Sequence, residues 1–172
     1  PLDDFNIAEN AYIHVLNAAK DYVWIATPYL ILDSIMVNAL VLAAQSGVDV
    51  RLITPSIPDK RIVFSLTQSN YMKLLANGIR VFEYVPGFIH SKMFVSDDKR
   101  AIVGTTNMDF RSFFLHFESG SVFYGGSVVQ SVKADFEDTF KLCREVTLDD
   151  ASKRSLFMKL MGQVAKLVAP LL

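Results

Sequence analysis

The stretch FIHSKMFVSDDKRAIVG, residues 88–104, is where the chain changes character. Residues 88–96 and 101–104 are dense in aromatic and β-branched side chains, which suit a pleated, half-buried surface. Between them Asp97-Asp98-Lys99 offers the short polar side chains that favour a tight turn. The segment therefore reads as two strands in close succession. Upstream, the pattern alternates helix with strand. Asp3 and Asp4 precede a helical face of Ala8, Ala11, Tyr12, Val15, Leu16 and Ala19. A buried strand at 22–26 ends at Thr27-Pro28-Tyr29. A helix at 34–46 stops at Gly47, and VDVRLIT (48–54) is a strand broken by Pro55. Pro58 and Asp59 open a helix running to about Ala76, and 79–85 is a strand. Downstream, 118–124 is a further strand, Gly125-Gly126 leads into a long helix to about Glu145, and 152–169 is a last helix. Alternation followed by consecutive strands predicts an α/β fold, a layered α-β-α domain with a mixed central sheet.

Composition narrows the function. The 172 residues are 51% hydrophobic and 20% charged, which excludes a disordered chain. A net charge of -1 gives no bulk attraction to nucleic acid. The single cysteine, Cys143, excludes an intramolecular disulfide and a cysteine-rich zinc site, and suits a reducing compartment. The chain opens on Pro1 without a signal-peptide pattern, so it is expected to be a processed chain or a piece of a longer one. No apolar run reaches the ~18 residues of a membrane span. The mean hydropathy of +0.29 is high for a soluble domain. Large buried sheets, or a surface touching lipid or another subunit, account for it.

The chemistry concentrates in the strand expected at 88–96. Alternation puts His90 and Lys92 on one face with Phe94 behind them, and Ile89, Met93 and Val95 on the other. Lys92 suits a phosphate oxygen, and its charge pushes the imidazole toward its neutral, nucleophilic form. Gly104 allows a close backbone approach to a ligand. Thr105 and Asn107 supply a hydroxyl and an amide for phosphate oxygens. Glu118, at the start of a strand, is placed to bond one ring nitrogen of His90 and set its tautomer. Taken singly these are bland: His-x-Lys is usually a solvated face, and Gly-x-x-Asn and Asp97 are usually turns. Their co-occurrence in this order decides the reading.

In that order His90, Lys92, Asp97, Gly104-Thr105-Thr106-Asn107 and Glu118 resemble the signature of the phospholipase D superfamily, His-x-Lys, Asp, Gly-[Ser/Thr]-x-Asn, then Glu. Ala26-Thr27-Pro28-Tyr29, Gly47-Val48-Asp49-Val50-Arg51, Tyr84-Val85-Pro86-Gly87-Phe88 and Asn107-Met108-Asp109-Phe110-Arg111-Ser112 are similar to the C-terminal catalytic half of bacterial cardiolipin synthases, as is the ending 156–172. The resemblance implies one phospholipase D-like domain over 1–172, the second half of a two-motif enzyme. It implies phosphatidyl transfer through a phosphohistidine, making cardiolipin from two phosphatidylglycerol molecules, without metal or cofactor. His90, Lys92, Asn107, Glu118 and Asp97 would be the catalytic signature residues, His90 as nucleophile or as general acid/base. Asp97 belongs to the signature, but alternation turns it away from His90, and it is expected to organise the turn. Thr105 and Arg111 would bind substrate. Implied partners are the phospholipid, the other catalytic half or a second identical subunit, and the membrane surface, not nucleic acid. The implied location is the cytoplasmic side of a bacterial cell membrane. Only one signature is present: neither His14 nor His116 has a lysine two residues on.

Three further readings follow. Tyr29 and Phe88 are taken as core packing ahead of an apolar acyl entrance. The helix at 152–169, with Lys153, Arg154, Lys159 and Lys166 and an apolar face, fits packing slightly better than an anionic bilayer. Two other functions stay open: a homodimeric phosphodiesterase or nuclease of the same superfamily, and a non-catalytic membrane-binding half-domain.

Overall fold

In the computed structural model, residues 6–153 are described. Helix α1 (Ile7–Ala18) is capped by Asn6, whose side chain accepts from the Glu9 N–H at 3.2 Å. The acids expected as its cap, Asp3 and Asp4, lie outside the described residues. Strands β1 (Tyr22–Ala26), β3 (Asp49–Pro55) and β4 (Arg80–Tyr84) are parallel. They are linked through β2 (Leu30–Ile31), α2 (Ser34–Gln45) and α3 (Arg61–Ala76). Next come β5 (Met93–Ser96), β6 (Arg100–Gly104), β7 (Met108–Asp109), α4 (Phe110–Phe114) and β8 (Gly120–Tyr124). The described chain ends with α5 (Gly126–Phe140), β9 (Cys143–Val146) and α6 (Leu148–Ser152). The main sheet runs β8-β6-β5-β1-β3-β4-β9, and β2 pairs β7 apart from it. The sheet is mixed: β5 is antiparallel to β1, β6 to β5, β8 to β6 and β9 to β4.

Period-two alternation sorts the sheet's side chains into two cores. Val23, Ile25, Leu52, Val81 and Phe94 face α1 and α2, meeting Leu16, Leu40 and Met36. Trp24, Ala26, Ile53, Phe82 and Val95 face α5, meeting Val129, Val132 and Phe136. Burial of such side chains, at ~1.5–3 kcal/mol each, is the main force holding the layers together. The predicted α-β-α arrangement is the observed one.

Four expected boundaries move, each for a local reason. The strand expected at 88–96 begins only at Met93. Ala26 is its last partner on β1, Thr27 N–H turns to Ile53 O, and Pro28 has no N–H to offer. The strand expected at 118–124 begins at Gly120. The helix expected from Pro58 starts at Arg61. The long helix stops at Phe140, and 143–146 becomes an edge strand. Arg80 forms a bidentate pair with Glu145 at 2.7 and 2.9 Å, Arg144 reaches Glu83 at 2.7 Å, and Val146 enters the core. Of the helix expected at 152–169, only its first two positions are described; the rest lies outside the described residues.

Topology places the site. The carboxyl ends of β1 and β3, the start of β5, the end of β6 and the start of β8 all lie at one edge of the sheet. Loops at that edge carry residues 27–29, 88–92, 105–107 and 118–119. This is the crevice beyond strand carboxyl ends where open α/β sheets take ligands.

Candidate functional site

His90 and Lys92 sit in the extended segment just before β5. Lys92 Nζ lies 2.7 Å from His90 Nδ1 and 3.3 Å from Nε2, and donates to the His90 carbonyl at 2.7 Å. The side chains therefore converge, although neither belongs to the ladder. Burial first, and the Lys92 charge second, lower the His90 pKa, keeping the ring neutral with a lone pair free for phosphorus or a proton. The direction matches the sequence reading, but desolvation is the larger cause. Lys92 is itself lowered by burial, while Glu118 and Asp109 pull the other way.

The Gly104–Asn107 loop is held from three sides. Tyr12 on α1 stacks on Phe94 with centroids 4.2 Å apart, and its hydroxyl donates to Thr106 O at 3.0 Å. Burial pushes that hydroxyl up to about 12, so it stays a donor. Thr27 Oγ1 accepts from Met108 N–H at 3.2 Å and donates to Tyr29 O at 2.8 Å. Gly104 is required by the neighbouring strand: a Cβ there would lie 2.6 Å from Ser119 O and 2.8 Å from Gly120 Cα. The close approach expected toward a ligand is made instead to backbone. Asn107 is partly buried, and its Oδ1 meets no donor among the described residues.

Glu118 departs from expectation. Its Oε2 accepts from the Thr105 hydroxyl, while Thr105 Oγ1 accepts from Ser119 N–H at 2.9 Å. Its Oε1 lies 3.7 Å from His116 Nδ1. No bond joins Glu118 to His90 among the described residues; the carboxylate acts on Lys92 through charge. The reason is register: Gly104 pairs with Gly120, which sets Thr105 opposite Ser119, its N–H on Ser119 O at 2.8 Å, and brings the next residue, Glu118, to the Thr105 hydroxyl. Arg111 donates from Nε to His116 Nε2 at 2.8 Å. An accepting Nε2 leaves the neutral His116 proton on Nδ1, facing Glu118. His116 was set aside in the sequence because no lysine follows it, yet its spacing of two from Glu118 was a usable signal.

Asp97 follows the other end of β5, seven residues from His90, which is about 23 Å of extended chain at ~3.3 Å per residue. Its buried carboxylate accepts the N–H groups of Lys20, Asp21 and Tyr22 at 2.8, 3.0 and 2.9 Å. Its φ of +53° and that of Asp98 at +57° make the turn. Asp97 is thus part of the signature without being part of the site. Beside Glu118 opens a cleft of about 670 Å³, walled by Ala8, Tyr12, Phe113, Leu115 and Val122. His90 and Lys92 are not among its walls. Among the described residues no three of His, Cys, Asp and Glu gather into a group that could hold a metal ion.

Comparison with known proteins gives the chain a family. The family described as cardiolipin synthase, phospholipase D-like domain, matches residues 12–140. An uncharacterized protein of Streptococcus mutans is 49% identical over all 172 residues, which cover 37% of its length. Cardiolipin synthase 2 of Bacillus anthracis is 38% identical over all 172, covering 34% of its length. The chain thus spans about a third of the curated relatives it matches. Among solved structures, phosphatidylserine synthase of Haemophilus influenzae superposes with a TM-score of 0.76 at 16% identity, over 95% of this chain and 44% of that one. A phospholipase D family member, Nuc, from Salmonella typhimurium gives 0.69 at 19% identity, over 81% and 91%. With a family match running through most of its length, the chain belongs to the cardiolipin synthase family of phospholipase D-like domains.

Proposed function

We propose that the chain supplies one of two catalytic motifs of a phosphatidyltransferase that joins two phosphatidylglycerol molecules into cardiolipin and glycerol. The observation that carries this reading is the convergence of His90 and Lys92 at the same sheet edge as Asn107 and the Thr105–Glu118 pair. A histidine of one motif attacks phosphorus, forming a nitrogen–phosphorus bond as the glycerol oxygen leaves. The histidine of the other motif gives that oxygen a proton. The hydroxyl of the second phosphatidylglycerol then loses its proton to the same ring and attacks phosphorus, and the nitrogen–phosphorus bond breaks. His90 is assigned the acid/base role by analogy with relatives. Lys92 neutralises the phosphate oxygens, and Asn107 adds hydrogen bonds to the crowded phosphorus centre.

A second motif is part of this proposal, from the rest of a longer chain or from a second copy. Three features support it: the third of the relatives' length, the buried Asn107 Oδ1 that meets no donor among the described residues, and the exposed Leu115 and Phe117 beside the site. The membrane surface is the proposed place of action. Among the described residues no helix is long and apolar enough to cross a membrane. The test is His90→Ala in the full-length protein, assayed for cardiolipin formation on phosphatidylglycerol vesicles. Loss of an acid/base group costs ~10²–10⁴-fold. Undiminished activity would refute the mechanism.

A further inference from the structure

A second wall of the site lies away from the cleft. Tyr29, Phe88 and His90 form a run of rings, with centroids 6.2 Å apart from Tyr29 to Phe88 and 5.8 Å from Phe88 to His90. At its outer end the Tyr29 hydroxyl donates to Asp59 Oδ2 at 2.8 Å. Asp59 is exposed, on the loop between β3 and α3, and its Oδ1 has no hydrogen-bond donor among the described residues. None of these four residues lines the cleft. Burial, then the hydrogen bond to Asp59 and the charges of Asp59 and Asp109, push the Tyr29 hydroxyl up to about 12, so it keeps its proton and fixes the carboxylate. Asp59 in turn acts on the His90 ring, opposing the lowering by burial and Lys92, so it stands within electrostatic reach of the reacting imidazole.

A carboxylate at the rim of a phosphate site repels the donor, and as an acceptor-only group it offers the phosphate no hydrogen bond. It suits a hydroxyl. A glycerol headgroup brings two neighbouring hydroxyls, one for the imidazole and one for Asp59. Water brings a single oxygen, which the imidazole takes.

We infer that Asp59, held in place by Tyr29, determines specificity for a polyhydroxyl acceptor by accepting a hydrogen bond from the hydroxyl next to the one that reacts. This rests on the phosphatidyl-transfer reading above. During transfer the reacting oxygen bonds phosphorus, the nitrogen–phosphorus bond breaks, and the hydroxyl proton passes to the acid/base histidine. Asp59 neither gains nor loses a proton.

The test uses the full-length protein on phosphatidylglycerol vesicles, measuring two products of one reaction: cardiolipin, from the polyol acceptor, and phosphatidic acid, from water. Asp59→Ala is expected to lower the ratio of cardiolipin to phosphatidic acid at least about 10-fold, the scale of one hydrogen bond to a charged group. Tyr29→Phe should move the ratio the same way by less, and Asp59→Glu should restore part of it. A merely structural role lowers both products together and leaves the ratio alone; that result, or an unchanged ratio, overturns the inference while the transfer reading stands. A parent protein that turns over no phosphatidyl donor overturns the transfer reading, and this inference with it.

Discussion

Replacing Asp97 separates a signature residue's structural role from a chemical one. Its carboxylate, 6% exposed, satisfies three backbone N–H groups where α1 hands over to β1. Hydrogen bonds to a charged group contribute ~1.5–3 kcal/mol each. The three share one acceptor and are not additive, so Asp97→Ala should cost about 3–5 kcal/mol. Ala also tolerates the left-handed backbone at φ +53° poorly, which adds ~1 kcal/mol. Asn adopts that conformation readily, so Asp97→Asn isolates the acceptor. Its amide can still accept from Asp21 and Tyr22 but sets an N–H against that of Lys20, for a loss of about 2–3 kcal/mol. At ~2–4 °C per kcal/mol for a chain of this size, the Asn variant should melt roughly 5–10 °C lower. The assay is urea and thermal unfolding of both variants, together with cardiolipin formation at a temperature where each is folded. Activity should stay within about five-fold of the parent, since nothing of Asp97 reaches the His90 end of β5. An Asn variant with unchanged unfolding midpoints and a rate a hundred-fold lower would refute the assignment.

Other consequences are open to measurement. Glu9 is buried beside Asp33, its Oε1 meets no donor among the described residues, and burial first, then Asp33, raises its pKa to about 7. The fold favours the protonated form, so stability should be greatest below the ordinary 4.5 and fall as pH rises to about 7. Glu9→Gln should flatten that slope in urea melts and stabilise the protein at pH 8 by up to ~3 kcal/mol. Gly104→Ala sets a Cβ against the backbone of Ser119 and Gly120 where β8 begins and should cost at least ~2 kcal/mol in thermal unfolding, with faster amide exchange along residues 119–124. Cys143 is raised to about 11 by burial and donates to Thr139 O at 3.2 Å. Its alkylation at pH 8 should run ~100-fold slower than that of a free thiol, scored by mass spectrometry.

How far the sequence foretold the site depends on which interactions are local. The parallel strands and the helices between them were legible because their apolar periodicity outweighs any competing signal, as in VDVRLIT. His90 and Lys92 were legible as a pair because a spacing of two in extended chain shares a face whether or not a ladder forms. Partners set by register were not. Glu118 meets Thr105 because Gly104 pairs with Gly120, and no local pattern reports that alignment. Strands β2 and β7 were missed because two residues carry no period, and β9 because 143–146 continues an apparent helix until Arg80 and Glu83 claim its charges. Tyr29 and Phe88 were read as packing, and the ring contact is there; the hydroxyl bond to Asp59, thirty residues away, was beyond the pattern.

The antiparallel run β5-β6-β8 has a bearing on how such an enzyme can diversify. His90, Lys92, Thr105, Asn107 and Glu118 all hang from this one meander, cross-linked strand to strand. Their mutual spacing is therefore set by the ladder, by the Gly104 N–H to Lys92 O bond that continues it, and by Tyr12 of α1 on the Thr106 carbonyl. Loops such as the one bearing Asp59 come from the parallel half and can be lengthened or recharged without disturbing that internal geometry. On the phosphatidyl-transfer proposal, the constellation behaves as a cassette, and the acceptor it serves is free to drift.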